Sequence, residues 1–132
     1  CKVFGSYHTF FLLKDILEDN ISNLRPCELR EFKTDSICHH IADAIDIKGN
    51  ECIKRVYADS GKSPTLTTMA GGHREPKVLI KELYRKLTPL ECERLQTLPD
   101  NYTDGVSNNQ RYKMIGNGWT VDVVAHIVKG IR

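Results

Sequence analysis

Apolar positions recur at helical spacing in some stretches of the chain and alternate in others. Phe10, Leu13, Ile16 and Leu17 share one face of residues 10–19, which predicts a short amphipathic helix. Pro26 excludes a helix from the following stretch, residues 37–47 suit either a strand or a loop, and Gly49-Asn50 marks a turn. Residues 52–57 alternate and are rich in β-branched side chains, so a strand is expected there. Asp59-Ser60-Gly61 reads as a turn, and the threonine-rich residues 65–69 as a second strand. Gly71-Gly72 reads as a flexible loop, and residues 77–80 as a third short strand.

The last third of the chain is punctuated by helix caps. Thr88-Pro89-Leu90-Glu91 is a capping box with proline at the first helical position, and its helix should run to about Gln96 and stop before Pro99. Leu90, Leu95 and Leu98 are its expected core residues, with Arg94 in an internal ion pair or hydrogen bond. Ser107-Asn108-Asn109-Gln110 repeats the cap and opens a helix that Gly116 is expected to end. Residues 120–131 form the last helix, with Val123, Val124, Ile127 and Ile131 on one face. The fold class is therefore α+β: a small antiparallel β region over 1–84, then three short C-terminal helices over 85–132.

Composition narrows the class. The 132 residues are 40% hydrophobic and 27% charged, which fits a soluble globular protein and excludes disorder. No apolar run approaches a membrane span, and residues 10–13 are too short for a signal-peptide core. An intracellular protein with no membrane partner is expected, with its five cysteines as reduced thiols. A start at Cys1 rather than Met is expected of a piece of a longer polypeptide. Net charge is only +2, but residues 54–86 carry eight basic and three acidic side chains while the rest of the chain is slightly acidic. Such a block suits either a polyanion or a solvated face.

The ordered run of residues 85–127, from the capped helix through Leu98-Pro99-Asp100 to Gly116-Asn117-Gly118-Trp119, closely resembles the last two sequence blocks of cytosine-C5 DNA methyltransferases. The resemblance implies a Rossmann-like methyltransferase core outside this chain, against which the C-terminal helices would pack. It also implies that Asn117, Gly118 and Trp119 meet the methionine end of S-adenosylmethionine. A turn before a helix presents backbone N–H groups and the positive end of the helix dipole, so it can hold a carboxylate. Trp119 would pack on the cofactor or cover its pocket. As a helix cap alone, the same turn would bury the tryptophan.

Upstream, Arg55-Val56-Tyr57 and the run from Pro64 to Gly72 resemble the end of the family's target-recognition region. By that resemblance Arg55 would read a guanine edge, because a guanidinium pairs bidentately with O6 and N7. Thr65 would contact phosphate, and Thr67, Thr68 and Met69 would lie near base edges. Gly71 and Gly72 would let backbone approach the duplex, while His73, Arg74 and Lys77 would add phosphate contacts that position without specifying sequence. The alternative is a surface hairpin with ordinary threonines.

Pro26-Cys27-Glu28 looks like the family's catalytic proline-cysteine but lacks the preceding glycines, so no catalytic residue is assigned. Cys38-His39-His40 lacks the paired spacing of a zinc site, and no metal is expected. The family's Phe-x-Gly-x-Gly, Glu-Asn-Val and Gln-x-Arg-x-Arg blocks are absent from the sequence. The resemblance therefore implies the C-terminal part of a DNA (cytosine-5)-methyltransferase, inactive alone. Double-stranded DNA and an N-terminal catalytic half, on the same chain or a separate subunit, are its expected partners, and the isolated piece could self-associate. Its setting would be DNA methylation or restriction-modification, cytoplasmic in bacteria or phage and nuclear in eukaryotes. A non-catalytic DNA-binding module and an interaction domain that never meets DNA are the rival readings.

Overall fold

The computed structural model describes residues 12–19, 22–31, 38–69 and 71–131. The chain runs α1 (Leu13–Ile16), β1 (Arg25–Leu29), β2 (His40–Ala44), α2 (Glu51–Lys54), β3 (Arg55–Tyr57), β4 (Lys77–Ile80), β5 (Leu83–Lys86), α3 (Pro89–Leu95), α4 (Asn108–Asn117) and α5 (Val121–Gly130). The strands close into a small barrel in the order β1-β2-β3-β4-β5. Closure leaves no strand edge to satisfy. The antiparallel expectation needs one correction: among the described residues every pairing is antiparallel except β3 with β4, which run parallel through Tyr57 and Val78.

Alternation along the strands separates two cores. On β2, Ala42 and Ala44 point inward with Val56, Ile47 and Tyr84, which fill the barrel. The outward Asp43 of the same strand instead pairs with His40 at 2.9 Å and with Arg30. On β5 the alternation carries Tyr84 into the barrel, where its hydroxyl donates to Asp46 at 2.5 Å. Arg85, on the opposite face, meets α3. There a second core of Leu13, Ile16, Met69, Val78, Leu87, Cys92 and Ile115 joins the outside of the barrel to the helices.

Several elements depart from the sequence pattern. The expected helix over 10–19 is described only as α1, and residues 10 and 11 lie outside the described residues. The strand expected over 52–57 begins instead with the helical turn α2, because the Asn50 side chain caps it by accepting from the Cys52 N–H at 3.1 Å. Among the described residues, 65–69 pair with no strand. The capping box is present: the Glu91 N–H donates to the Thr88 hydroxyl at 3.2 Å, and the Thr88 N–H donates to Glu91 at 2.8 Å. The leucines expected as the core of α3 are only half-buried, whereas Pro89, Glu91, Cys92 and Glu93 are its buried residues. Arg94 does pair with Asp100, at 2.6 Å. Among the described residues no helix is long and apolar enough to cross a membrane.

Two buried carboxylates hold the helices in place. Glu91 accepts both ends of the Arg85 guanidinium at 2.6 and 2.8 Å, and it also takes the Glu18 N–H at 2.8 Å. Glu93 accepts the N–H groups of Asn101 and Thr103, the Thr103 hydroxyl and the Arg111 guanidinium. The turn after Pro99 is thereby fastened to both α3 and α4. Buried charges are tolerable only when so fully partnered.

Candidate functional site

Arg55 is exposed at the first position of β3, where the strand emerges from the α2 turn. Arg55, Thr65, Thr67, His73 and Arg74 line one concavity of about 360 Å3, with Tyr57 and Lys77 among its walls. Of the ten residues expected to meet DNA, the fold brings these five exposed ones and the buried Lys77 to one concavity, although the five span twenty positions of sequence. Gly71 and Gly72 have φ of +84° and +71°, a left-handed path that only glycine adopts freely, and both are exposed beside the concavity.

Lys77 does not sit where a phosphate contact is expected. It is buried, and its Nζ donates to the backbone carbonyls of His73 at 2.7 Å and Glu75 at 3.1 Å. Burial, with help from nearby Lys86, pulls its pKa down to about 8. Glu75 in turn pairs with Lys86 at 3.1 Å, so the His73–Arg74 loop is pinned from below and from one side. Burial also pushes the Tyr57 phenol up, against the opposing pull of Arg55.

Met69 also departs from expectation. It has a φ of +46°, and at 1% exposure its side chain belongs to the core between barrel and helices. Its side chain therefore cannot contact a base edge. Thr68 is half-buried and Thr67 exposed, with the Thr67 hydroxyl accepting the Met69 N–H at 3.4 Å.

The carbonyl of Thr67 lies directly on Gly116. A Cβ built on Gly116 would overlap that carbonyl and lie 2.7 Å from the Thr68 nitrogen. Gly116 accordingly does not end α4, as its type suggests, but continues it. The helix runs through Asn117, and Gly118 caps it by donating its N–H to the carbonyls of Met114 and Ile115. The glycine is required by the close crossing of two backbones, not by a left-handed turn.

Beyond this crossing, Gly118 and Trp119 line a groove of about 650 Å3 together with Thr65, Thr97, Leu95 and Val124. Trp119 is 77% exposed at the groove, so it is not the buried cap residue of the alternative reading. Asn117 is exposed as the last residue of α4, outside the groove lining. The open N–H groups expected at this turn are fewer than the sequence suggests. Those of Gly118, Val121 and Asp122 are bonded within the chain. Thr65 faces both concavities, so the expected recognition segment and the expected cofactor turn are neighbours. Sequence reasoning missed Gly116 as a contact residue, and also Gln96 and Thr97. A glycine two positions before another glycine suggests a turn, and nothing local marks the glutamine.

The remaining candidate chemistry resolves into ordinary contacts. Cys27 lies in β1, where its thiol donates to the Glu82 carbonyl at 3.5 Å and burial pushes its pKa up, the reverse of an activated nucleophile. Cys38 donates to the Ser63 carbonyl at 3.5 Å. Among the described residues no group of three His, Cys, Asp or Glu is placed to hold a metal ion.

The C-5 cytosine-specific DNA methylase family model matches residues 14–132. The orphan methyltransferase M.SPBetaI of Bacillus phage SPbeta is 31% identical over an alignment covering 87% of this chain and 41% of that protein. The type II methyltransferase M.HhaI of Haemophilus parahaemolyticus is 34% identical over 59% of this chain and 24% of its own length. The type II methyltransferase M.Sau3AI of Staphylococcus aureus is 27% identical over 92% and 32%. The chain thus spans about two-fifths or less of the length of these curated relatives. A match across nearly the whole chain, on a structure whose DNA-facing candidates converge and whose glycine turn adjoins them, leaves one assignment: the chain belongs to the C-5 cytosine-specific DNA methylase family.

Proposed function

We propose that this chain is the target-reading and closing portion of a DNA (cytosine-5)-methyltransferase, inactive until joined by a catalytic portion. The observation that carries this reading is the convergence of Arg55, Thr65, Thr67, His73 and Arg74 on one concavity beside the Gly118–Trp119 groove. In this reading residues up to 84 recognise DNA, and the remainder completes the methyltransferase domain.

Each group has a task. Arg55 reads a base edge, while Thr65, His73 and Arg74 fix the duplex through its phosphates. Thr67 and Thr68 border the bases. Gly71 and Gly72 admit the backbone to the duplex. The target cytosine leaves the base stack for reaction. Its attack at C6 requires a thiolate, which we assign to the catalytic portion. When bound, S-adenosylmethionine supplies the methyl group. The residues present suit that molecule: the groove joins an apolar wall of Leu95, Val123 and Val124 to a polar rim of Thr97 and Thr120, as an amphipathic ligand needs. Gly118 and Trp119 would hold its methionine end from the groove wall, and Asn117, the residue before them, would contact it from outside that lining. Val121, Ile127, Val128 and Ile131 of the last helix and its C-cap are exposed, an apolar face suited to a partner domain.

Mixing this chain with a catalytic portion from a family member is the direct test. Methyl transfer to cytosine in duplex DNA is expected only from the mixture, and no transfer at any ratio would overturn the reading. A DNA-binding module without catalysis would instead bind DNA with a steep salt dependence and gain nothing from the partner. In the active mixture, Arg55→Ala is expected to cost about 1–3 kcal/mol at the preferred site and to relax sequence preference. Competition between preferred and altered duplexes measures this. An equal loss on every sequence would make Arg55 a phosphate contact.

A further inference from the structure

Gln96 caps the C-terminus of α3 and is 8% exposed. Its side chain bonds both sides of the glycine turn. Nε2 donates to the carbonyls of Ile115 at 3.0 Å and Gly118 at 3.3 Å, and Oε1 accepts from the Thr120 hydroxyl at 2.8 Å. The backbone repeats the pattern, since the Gln96 carbonyl accepts the Val121 N–H at 3.0 Å. The Thr97 hydroxyl accepts the Asp122 N–H at 2.9 Å. One dipeptide therefore holds the end of α4 and the start of α5, on either side of Gly118 and Trp119.

Two features show that this arrangement is imposed from outside the turn. Thr120 is the N-cap of α5, yet its hydroxyl makes no capping bond to its own helix and donates to Gln96 instead. The first two N–H groups of α5, those of Val121 and Asp122, are capped by Gln96 and Thr97 at the exit of α3, so that exit sets where α5 begins. Thr97 has a φ of +56°, a left-handed conformation unfavourable for a β-branched residue and sustained only by surrounding contacts.

We propose that Gln96 is a positioning residue for the cofactor turn: its amide, donating to one helix end and accepting from the next, sets the aim of Gly118 and Trp119. The proposal rests on the reading of that turn as an S-adenosylmethionine contact. A glutamine suits the task because one group must offer both a donor and an acceptor. Methionine of similar size offers neither in strength, and a carboxylate offers no donor to the two carbonyls.

The test uses the active mixture and compares Gln96→Met, Gln96→Glu and Asn117→Ala with the parent. Gln96→Met is expected to raise KM for S-adenosylmethionine about tenfold, the loss of one to two net hydrogen bonds, while kcat and DNA affinity stay within about twofold. Gln96→Glu is expected to show the same defect at pH 8 and to recover toward the parent as pH falls, because a protonated carboxyl regains the donor. Asn117→Ala weakens cofactor binding without this pH dependence. If Asn117→Ala acts and neither Gln96 variant moves KM, the positioning role is wrong while the site stands. If none of the three moves KM, the turn is not the cofactor site. Parallel losses in DNA affinity, kcat and melting temperature with Gln96→Met would mean a structural role only and would also overturn the proposal. Should Gln96→Met not fold, Thr120→Val removes one of the bonds from the half-buried side, and an unchanged cofactor KM there counts against positioning.

Discussion

Glu93→Ala is expected to cost about 3–5 kcal/mol of stability, the usual consequence of removing one partner from a buried ion pair. The Glu93 carboxylate is 0% exposed and serves four donor groups: two backbone N–H groups, a hydroxyl and the Arg111 guanidinium, 3.0 Å away. Alanine would strand Arg111 in the interior and release the turn that joins α3 to α4. Urea unfolding at pH 7 measures the loss, and a value under about 1 kcal/mol would remove Glu93 from the supports of this region. Glu93→Ala combined with Arg111→Ala is expected to cost less than the sum of the two, because each removes the same interaction.

The pH dependence has a definite sign. Burial pushes the Glu93 carboxyl up, but the Thr103 hydroxyl and N–H, Arg111 and the Asn101 N–H outweigh it and hold the group below the usual glutamate range. The unfolded chain therefore takes up this proton first as pH falls. The contribution of Glu93 is fully present above about pH 4–5, where the unfolded carboxyl is ionised, and is lost as pH drops through the lowered folded value. Glu93→Ala should flatten the acid limb of the stability profile.

Gly116→Ala is expected to lose at least about 3 kcal/mol, although helix propensity alone predicts a gain of up to about 1 kcal/mol for the same change. Gly116 is in the penultimate position of α4, so alanine should help the helix. The Thr67 and Thr68 backbone occupies the space its Cβ would need, and backbone cannot swing aside as a side-chain tip can. Either α4 or the segment carrying Thr65 and Thr67 must move. Weakened DNA binding is expected with the lost stability, and thermal melts with DNA titrations read both. Gly130→Ala is the control. It is the last residue of α5, and its Cβ would meet nothing within 4 Å, so propensity should act alone and the change should be neutral or slightly stabilising. A neutral Gly116→Ala would show that the two segments do not bear on each other.

Local chemistry accounts for the elements that could be read along the chain. The capping box at Thr88 and Glu91, the cap at Ser107, the strand at 77–80 and the glycine loop at 71–72 each depend on neighbours within a few positions. The order of the glycine turn and its flanking helices was also legible, and with it the family. The rest depends on three-dimensional packing. Strands β1, β2 and β5 contain proline, alanine or too few residues to stand out, and they exist because the barrel supplies each with partners on both sides. Two glutamates became interior residues because donors from other elements and turns converge on them. Met69 joined the core between barrel and helices, and Lys77 became a post beneath the loop rather than a charge on it. Gly116 was legible as a glycine but not as a crossing point. The Glu18–Glu91 bond and the Thr67–Gly116 crossing join residues tens of positions apart, and chain closure over that distance leaves no periodic trace in either segment.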